Sequence, residues 1–207
     1  MVKAIINDFA ENCYIVSNDQ KAYVIDPGSN YEAMHQYIQD NNLTLEGVLL
    51  THGHYDHICG INKLLERYEA TIYIHQDERD FLFDPNLNLS AYMSDRFKVL
   101  DKLHIQVIDD TKTFVLGDET IRVLHTPGHS RGSVSYLYQN MVFSGDLLFK
   151  ETVGRTDLPT GDQAVLEASI KKLYDQLKDN TLVYPGHGQF TTIAHEKNNN
   201  MFVKSAI

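Results

Sequence analysis

The chain has 207 residues, of which 43% are apolar and 22% are charged, a composition ordinary for a globular domain with a substantial core. Its 28 acidic residues outnumber its 18 basic residues, the formal net charge is -10, and no run of Lys or Arg occurs, which argues against a nucleic-acid partner. No apolar stretch is long enough for a membrane span or for an N-terminal secretion signal. We therefore expect one cytoplasmic domain over residues 1–207 that acts on a small molecule, with its oligomeric state open.

The first half of the sequence alternates strand-like runs with helical periodicity. Strands are predicted at 3–7, 13–17, 21–25, 46–50 and 71–74. Helices are predicted at 31–40 and 60–68. Residues 77–103 have mixed character, and we interpret them as a helix plus a long loop, which is either a lid over a site or a packed surface excursion.

The second half repeats this pattern of strands followed by helices. Strands are predicted at 112–116, 119–125, 133–138, 141–144 and 181–184. Helices are predicted at 163–178, with Asp162 as the N-cap, and near 195–205. Two such halves indicate two sheets packed face to face with helices outside, although periodicity alone leaves several α/β arrangements open.

The segment His52-Gly53-His54-Tyr55-Asp56-His57 places three histidines and one aspartate within six residues. It lies between an apolar strand and a helical pattern, so these side chains belong to a loop at the carboxyl end of a strand, where open α/β folds bind ligands. Imidazole suits zinc, copper, iron and nickel, and a carboxylate can bridge two ions. The spacing therefore predicts a metal-binding loop.

Three later strands also end in a Gly-containing turn with a possible ligand. These turns carry His129, Asp146 and His187. Four strand ends that deliver ligand side chains toward one edge predict a single metal centre rather than a coincidence of composition.

At this point the motifs resemble a known family. The set T-H-x-H-x-D-H, H-T-P-G-H-S, S-G-D and P-G-H is similar to the metallo-β-lactamase superfamily, over essentially the whole chain. Gly154-Arg155-Thr156-Asp157 and Thr191-Thr192-Ile193, with Glu196 and Asn200, resemble its short glyoxalase II-like (hydroxyacylglutathione hydrolase-like) branch. The resemblance implies an α/β (α+β) fold, a four-layer αββα sandwich, without a separate C-terminal glutathione-binding domain.

The resemblance further implies two divalent metal ions, with zinc as the first choice and iron or manganese as alternatives. His52, His54 and His129 would hold the first ion, Asp56, His57 and His187 the second, and Asp146 would bridge them. A metal-bridging hydroxide would attack a carbonyl, with Asp56 as the catalytic side chain beside it.

Outside the ligand set, the resemblance and the chain order suggest supporting roles. We expect Asp26 to orient the metal loop, and Arg155 and Thr156 to contact substrate, the alternative for Arg155 being a surface ion pair with Asp157. His125 is interpreted as structural. Cys13 and Cys59 are expected to be reduced thiols, the role of Cys59 being left open.

Several activities are compatible with this motif set. Hydrolysis of a small acyl thioester of the S-lactoylglutathione type is the leading hypothesis. The alternatives are a mononuclear-iron persulfide dioxygenase-like oxidoreductase, a lactonase and a non-catalytic metal-binding module. His57 and Asp146 argue against zinc β-lactamases, which usually lack the former and have cysteine at the latter position. The acyl group and the thiol carrier are not predicted.

Overall fold

The computed structural model describes residues 1–93 and 96–203, and within this part of the chain the strands form two six-stranded sheets and a short hairpin. The first sheet has its strands in chain order: β1 (Val2–Ile6), β2 (Asn12–Asn18), β3 (Lys21–Ile25), β4 (Thr44–Leu49), β5 (Thr71–His75) and β6 (Ile105–Ile108). β1 to β3 form an antiparallel meander, and β3 to β6 are parallel. The carboxyl ends of β3, β4 and β5 therefore meet at one edge.

Helices connect the parallel strands of this sheet. α1 (Tyr31–Asp40) leads from β3 to β4, and two single-turn helices, α2 (Tyr55–Ile58) and α3 (Ile61–Leu64), lie between β4 and β5. Met34 and Ile38, four residues apart in α1, face the sheet and are fully buried. Such crossovers place helices on the outer face of a parallel sheet.

The second sheet is formed by the C-terminal half, in the order β14-β13-β10-β9-β8-β7. Its strands are β7 (Thr113–Leu116), β8 (Glu119–His125), β9 (Val134–Tyr138), β10 (Met141–Gly145), β13 (Leu182–Pro185) and β14 (Thr191–Thr192). The hairpin consists of β11 (Leu148–Phe149) and β12 (Thr152–Val153), and the helices are α4 (Gln163–Gln176) and α5 (Ile193–Asn199). β10 and β13 are parallel, so their carboxyl ends also share an edge.

Three hydrophobic layers hold these elements together. Side chains of both sheets meet in the central layer, with Tyr14, Ile25, Phe114, Tyr136 and Phe143 among its members. An outer layer packs α1 and α3 on the first sheet, and another packs α4 and α5 on the second. This arrangement confirms the predicted four-layer αββα sandwich.

Some sequence-based boundaries were wrong. The helix expected at 60–68 is α-helical only over Ile61–Leu64, and β6, β11, β12 and β14 were not predicted. The helix expected near 195–205 ends at Asn199, because Asn200 turns its side chain back to the Glu196 carboxylate and to the Thr152 carbonyl. Residues 204 and 205 of that prediction lie outside the described residues.

The segment expected as a helix plus a loop at 77–103 contains two 3-10 helices, Gln76–Leu82 and Ser90–Tyr92. Phe81, Leu82 and Val99 are buried, so much of this segment packs on the domain. Residues 94 and 95 of the segment lie outside the described residues. Within the described residues, no helix combines the length and the apolar content that a bilayer crossing requires.

Candidate metal centre

The candidate site lies where the carboxyl ends of strands from both sheets meet. The loop after β4 carries the predicted ligands from His52 to His57, and the turns after β8, β10 and β13 carry one ligand each. The structure brings all seven predicted ligands together: His52, His54, Asp56, His57, His129, Asp146 and His187. They fall into two adjacent groups.

The first group consists of His52, His54 and His129, all buried. The three rings are mutually perpendicular, with centroids 4.7–4.9 Å apart. His54 Nδ1 lies 2.9 Å from His129 Nε2. Two ring nitrogens at this distance face the same point, as ligands of one ion would.

The second group consists of Asp56, His57 and His187. His187 Nε2 lies 3.2 Å from Asp56 Oδ2. Asp146 lies between the groups: its Oδ1 is 3.4 Å from His57 Nε2, and its Oδ2 is 3.6 Å from both His129 Nε2 and His187 Nε2. The Asp146 carboxylate can therefore reach both groups, as a bridging ligand must.

The outer nitrogens of three histidines donate hydrogen bonds away from the centre. His129 Nδ1 donates to the Arg155 carbonyl at 2.7 Å, His57 Nδ1 to Asp26 Oδ2 at 3.0 Å, and His187 Nδ1 to the Ala10 carbonyl at 3.1 Å. Because each acceptor is an oxygen without a proton, the ring proton is assigned to Nδ1. Nε2 of each ring then faces the centre and can bind a cation when it carries no proton.

Asp26 lies behind this loop, where the sequence placed it. Its Oδ1 accepts from the Thr51 amide at 2.7 Å, and its Oδ2 accepts from the Thr51 hydroxyl at 2.5 Å as well as from His57. Thr51 Oγ1 is in turn 3.1 Å from His52 Nδ1. Asp26 adopts the left-handed region, with φ 50°, at the turn that follows β3. One carboxylate thus orients histidines of both groups.

The donor atoms at the centre fit metal ions. Among the described residues, His52 Nε2, His57 Nε2 and Asp146 Oδ1 are buried without a hydrogen-bond partner, although buried polar atoms are normally paired. Burial and the neighbouring histidines hold the pKa of His52 well below its usual value, and burial together with His129 lowers the pKa of His54 to about 3. Both rings are therefore neutral at pH 7, the form that binds a metal.

Comparison with known proteins identifies the family. The model of the metallo-beta-lactamase superfamily matches residues 6–187. The chain belongs to the metallo-β-lactamase superfamily. This confirms the resemblance predicted from the four motifs, and membership implies a metal-binding site formed by the His and Asp groups.

Relatives of similar length include named hydrolases. The probable metallo-hydrolase YqgX of Bacillus subtilis is 37% identical over 194 residues, which are 93% of this chain and 92% of YqgX. The hydroxyacylglutathione hydrolase GloC of Haemophilus influenzae is 32% identical over 212 residues, covering 97% of this chain and 96% of GloC. The relatives therefore include a member of the branch that the sequence indicated.

Two solved structures resemble this chain along nearly its whole length. BLEG-1, described as a B3 metallo-beta-lactamase, has a TM-score of 0.91 at 39% identity, with 98% of this chain and 99% of BLEG-1 covered. TTHA1623, described in a di-iron-bound form, has a TM-score of 0.84 at 32% identity, with coverages of 98% and 99%. Iron is therefore the metal described in one of these similar structures.

In this superfamily member, a cavity of about 510 Å³ opens over the ligands. Ligand side chains on its floor are Asp56, Asp146, His54, His129 and His187. Its walls are mainly apolar and include Phe9, Tyr55, Leu89, Met93, Phe149, Val153 and Leu158. Leu89 and Met93 come from residues 77–103, so part of that segment borders the site.

The two predicted substrate contacts differ in their placement. Arg155 lines the cavity, and its Nε and an Nη both donate to the Asp157 carboxylate at 2.7 Å. The ion pair with Asp157 considered from the sequence is therefore present. The Thr156 hydroxyl donates to Gln163 Oε1 at 3.1 Å, and Thr156 is not among the described residues that line the cavity. Substrate contact by either residue stays a prediction.

His125 lies outside both groups. Its ring stacks on His75 at 4.2 Å and 11°, and its Nε2 is 3.3 Å from the Arg131 carbonyl. The in-plane lone pairs of parallel rings do not converge on one ion, so this pair, with Asp77 nearby, is a poorer metal site than the centre. Cys13 is a buried free thiol, and Cys59 is a half-buried one that contacts the Asp56 carbonyl.

Two buried glutamates near the centre were missed by the sequence analysis. Glu11 accepts from Asn7 Nδ2 at 2.8 Å, its Oε1 is 3.8 Å from His57 Nδ1, and burial raises its pKa well above the usual value. Glu78 accepts from the Gly53 amide, between His52 and His54, at 3.0 Å, and burial raises its pKa to about 7. Neither residue belongs to a motif with the spacing of metal ligands. In the sequence each is simply an acidic residue, and only the fold shows that it is buried.

Proposed function

We propose that the chain is a binuclear metal-dependent hydrolase of small acyl thioesters, with zinc as the expected metal in a cytoplasmic enzyme. The observation that carries this proposal is the position of Asp146, which lies within 3.6 Å of histidine nitrogens from both groups at the floor of the cavity. Seven ligand side chains exceed the four that one tetrahedral ion uses, which supports two ions.

Each of the two ions would have its own set of ligand residues. His52, His54 and His129 would hold one, Asp56, His57 and His187 would hold the other, and Asp146 would contact both. Divalent ions bound here supply Lewis-acid chemistry, which polarises a carbonyl oxygen and makes water acidic near neutral pH.

The chain itself contributes orientation and an apolar cavity wall. Asp56 is part of the cavity floor. Burial acts to raise its pKa, but the nearby His57 and His187 outweigh burial and lower it. The Asp56 carboxylate is therefore an acceptor that can align an attacking water. Asp26 fixes the direction of the His57 ring. Phe9, Tyr55 and Met93 give the cavity an apolar wall beside the ligands.

A thioester is favoured because the relative GloC is named a hydroxyacylglutathione hydrolase and aligns along 97% of this chain. We leave the thiol carrier open, since Arg155 is the one Lys or Arg side chain among the described residues that line the cavity. A second candidate is β-lactam hydrolysis, because the 39% identical BLEG-1 is described as a B3 metallo-beta-lactamase. Asp146 weighs against it, since zinc β-lactamases usually have a different residue at this position.

Metal analysis and activity assays on one purified sample test the proposal. We expect about two transition-metal ions per chain by the two-metal logic, together with hydrolysis of S-lactoylglutathione or of an acyl thioester of a neutral thiol. If the metal content never exceeded one ion and the protein consumed oxygen when given a persulfide, the mononuclear-iron persulfide dioxygenase-like activity would be favoured instead. Faster turnover of a cephalosporin than of every thioester would favour the β-lactamase.

A further inference from the structure

Glu78 is a buried carboxylate that joins the two ligand-bearing loops of the first group. It lies in the 3-10 helix Gln76–Leu82 and is fully buried. Its Oε2 accepts from the Gly53 amide at 3.0 Å, and its Oε1 accepts from the Gly132 amide at 2.9 Å. Each oxygen is therefore bonded to a different loop.

These two loops carry the three histidines of the first group. Gly53 stands between His52 and His54, and Gly132 follows His129 by three residues. The loops belong to different sheets, since the first follows β4 and the second joins β8 to β9. The 2.9 Å separation of His54 Nδ1 and His129 Nε2 thus depends on how closely the loops approach each other.

Both loops approach the Glu78 helix too closely for any side chain. A Cβ at Gly53 would lie 2.4 Å from Phe81 Cβ, and a Cβ at Gly132 would lie 2.7 Å from Glu78 Cγ. Arg131 adds a further tie, because its Nε donates to the Asp77 carbonyl at 2.7 Å. The 3-10 helix is therefore packed and bonded against both loops.

Burial raises the pKa of Glu78 to about 7, whereas the hydrogen bonds from the Gly132 and Gly53 amides favour its ionised form. Both partners are N–H donors, and only a carboxylate presents two acceptor oxygens with no donor. A glutamine would satisfy one amide and direct its own NH2 at the other. Burying an ionisable group is costly unless its hydrogen bonds are satisfied, so a glutamate here is explained by the two amides it joins.

We propose that Glu78 is a positioning residue that sets the distance between the His52/His54 pair and His129, so that the three rings converge as one metal site. This inference rests on the proposed assignment of these histidines to one ion. The second group includes Asp56 and His57 of the first loop but has no ligand on the loop of Gly132, so its geometry does not depend on the distance between the two loops. Loss of Glu78 therefore weakens the first site selectively.

The test compares Glu78→Gln with the wild type in metal titrations. Apo-protein is titrated with Co²⁺, whose absorption reports ligand geometry, and the affinities of the two sites are measured by chelator competition. We expect affinity at the first site to fall about 10- to 100-fold, as for other residues that orient metal ligands, with the second site within about threefold of wild type. Equal affinities in variant and wild type, or equal losses at both sites, would overturn the proposal.

A matched control is Glu196→Gln. Glu196 is likewise fully buried, and its carboxylate accepts from the Glu151 amide at 2.9 Å and from the Thr191 hydroxyl at 2.6 Å. We expect this variant to lose thermal stability with both metal affinities unchanged. If it weakened the first site as much as Glu78→Gln does, the effect would be one of general stability and the positioning role would be rejected.

Two further measurements keep the outcomes distinct. If Glu78→Gln does not fold, Glu78→Asp, which is one methylene shorter and cannot span both amides, is titrated in its place with the same expected selectivity. If His129→Ala leaves both metal affinities unchanged, the assignment of the ligands is refuted. Normal metal sites in the wild type with no effect of either Glu78 variant would refute the role of Glu78 alone.

Discussion

Replacing Asp26 with asparagine tests how one buried carboxylate prepares the ligands. In Asp26→Asn the side-chain carbonyl oxygen can still accept from the Thr51 amide, but the new NH2 group would face the Thr51 hydroxyl and His57 Nδ1, where Oδ2 now accepts two hydrogen bonds. The hydroxyl can rotate and become an acceptor. His57 can accept only at Nδ1 if its proton moves to Nε2, the atom that lies 3.4 Å from Asp146 Oδ1.

The expected effect is therefore on metal binding more than on folding. A proton on His57 Nε2 blocks a ligand atom of the second group, and we expect about a 10- to 100-fold loss of affinity there, which corresponds to about 1.4–2.7 kcal/mol. The free energy of unfolding of the apo-protein should change less, by about 1 kcal/mol, because one charged hydrogen bond is exchanged for a neutral one.

Chelator competition measures the first quantity and urea denaturation of the apo-protein the second. Asp162→Asn is the control, since asparagine caps a helix as well as aspartate does and the Asp162 side chain bonds the Val165 amide rather than a candidate ligand. If Asp26→Asn bound two ions with wild-type affinity, the ring of His57 would not depend on Asp26 for its protonation state, and the reasoning would be wrong.

Three other substitutions test separate parts of the structure. Asp146→Ala should reduce the metal content from about two ions to one or fewer and abolish turnover; elemental analysis that still finds both ions would contradict the bridging role. Arg155→Ala should raise KM for a carboxylate-bearing thioester by a factor that corresponds to about 1.5–3 kcal/mol, with little change in kcat, and should leave KM for a neutral thioester unchanged. Equal losses for both substrates would exclude Arg155 as the substrate anchor. Asp162→Ala removes the bond from the Val165 amide and should lower the free energy of unfolding by about 1 kcal/mol, or Tm by about 2–4 °C, in a calorimetric scan; an unchanged Tm would argue against capping.

Elements with a local signal were predicted closely. β3 and α1 have the predicted bounds, and Asp162 caps α4 by accepting from the Val165 amide at 3.0 Å. The two-residue strands of the β11–β12 hairpin are too short for alternation to be visible. The end of α5 depends on the bond between Asn200 and Glu196, which helical periodicity does not report.

The same distinction applies to the site. The proximity of the seven candidate ligands could be predicted because each lies in a loop or turn after an apolar strand, and parallel strands bring their carboxyl ends to one edge. Glu11 and Glu78 were not predicted, because their contacts with His57 and with Gly53 and Gly132 arise only when distant segments pack together. A lone glutamate in a sequence is most often a solvated surface residue.

The distribution of the ligands over both sheets determines when the protein can acquire its metal. His129 follows β8 of the second sheet, whereas His52 and His54 follow β4 of the first, so neither sheet alone completes the first group. Unlike a zinc finger, whose ligands fold around the ion, this chain is expected to reach its native topology before metal binds. The three hydrophobic layers must therefore keep the metal-free protein folded. A bound ion then adds about 2.7 kcal/mol to the free energy of unfolding when the free ion concentration is a hundredfold above Kd. We expect scarcity of metal to leave a reserve of folded apoenzyme, so that metal supply sets how much of the protein is active and not how much is folded.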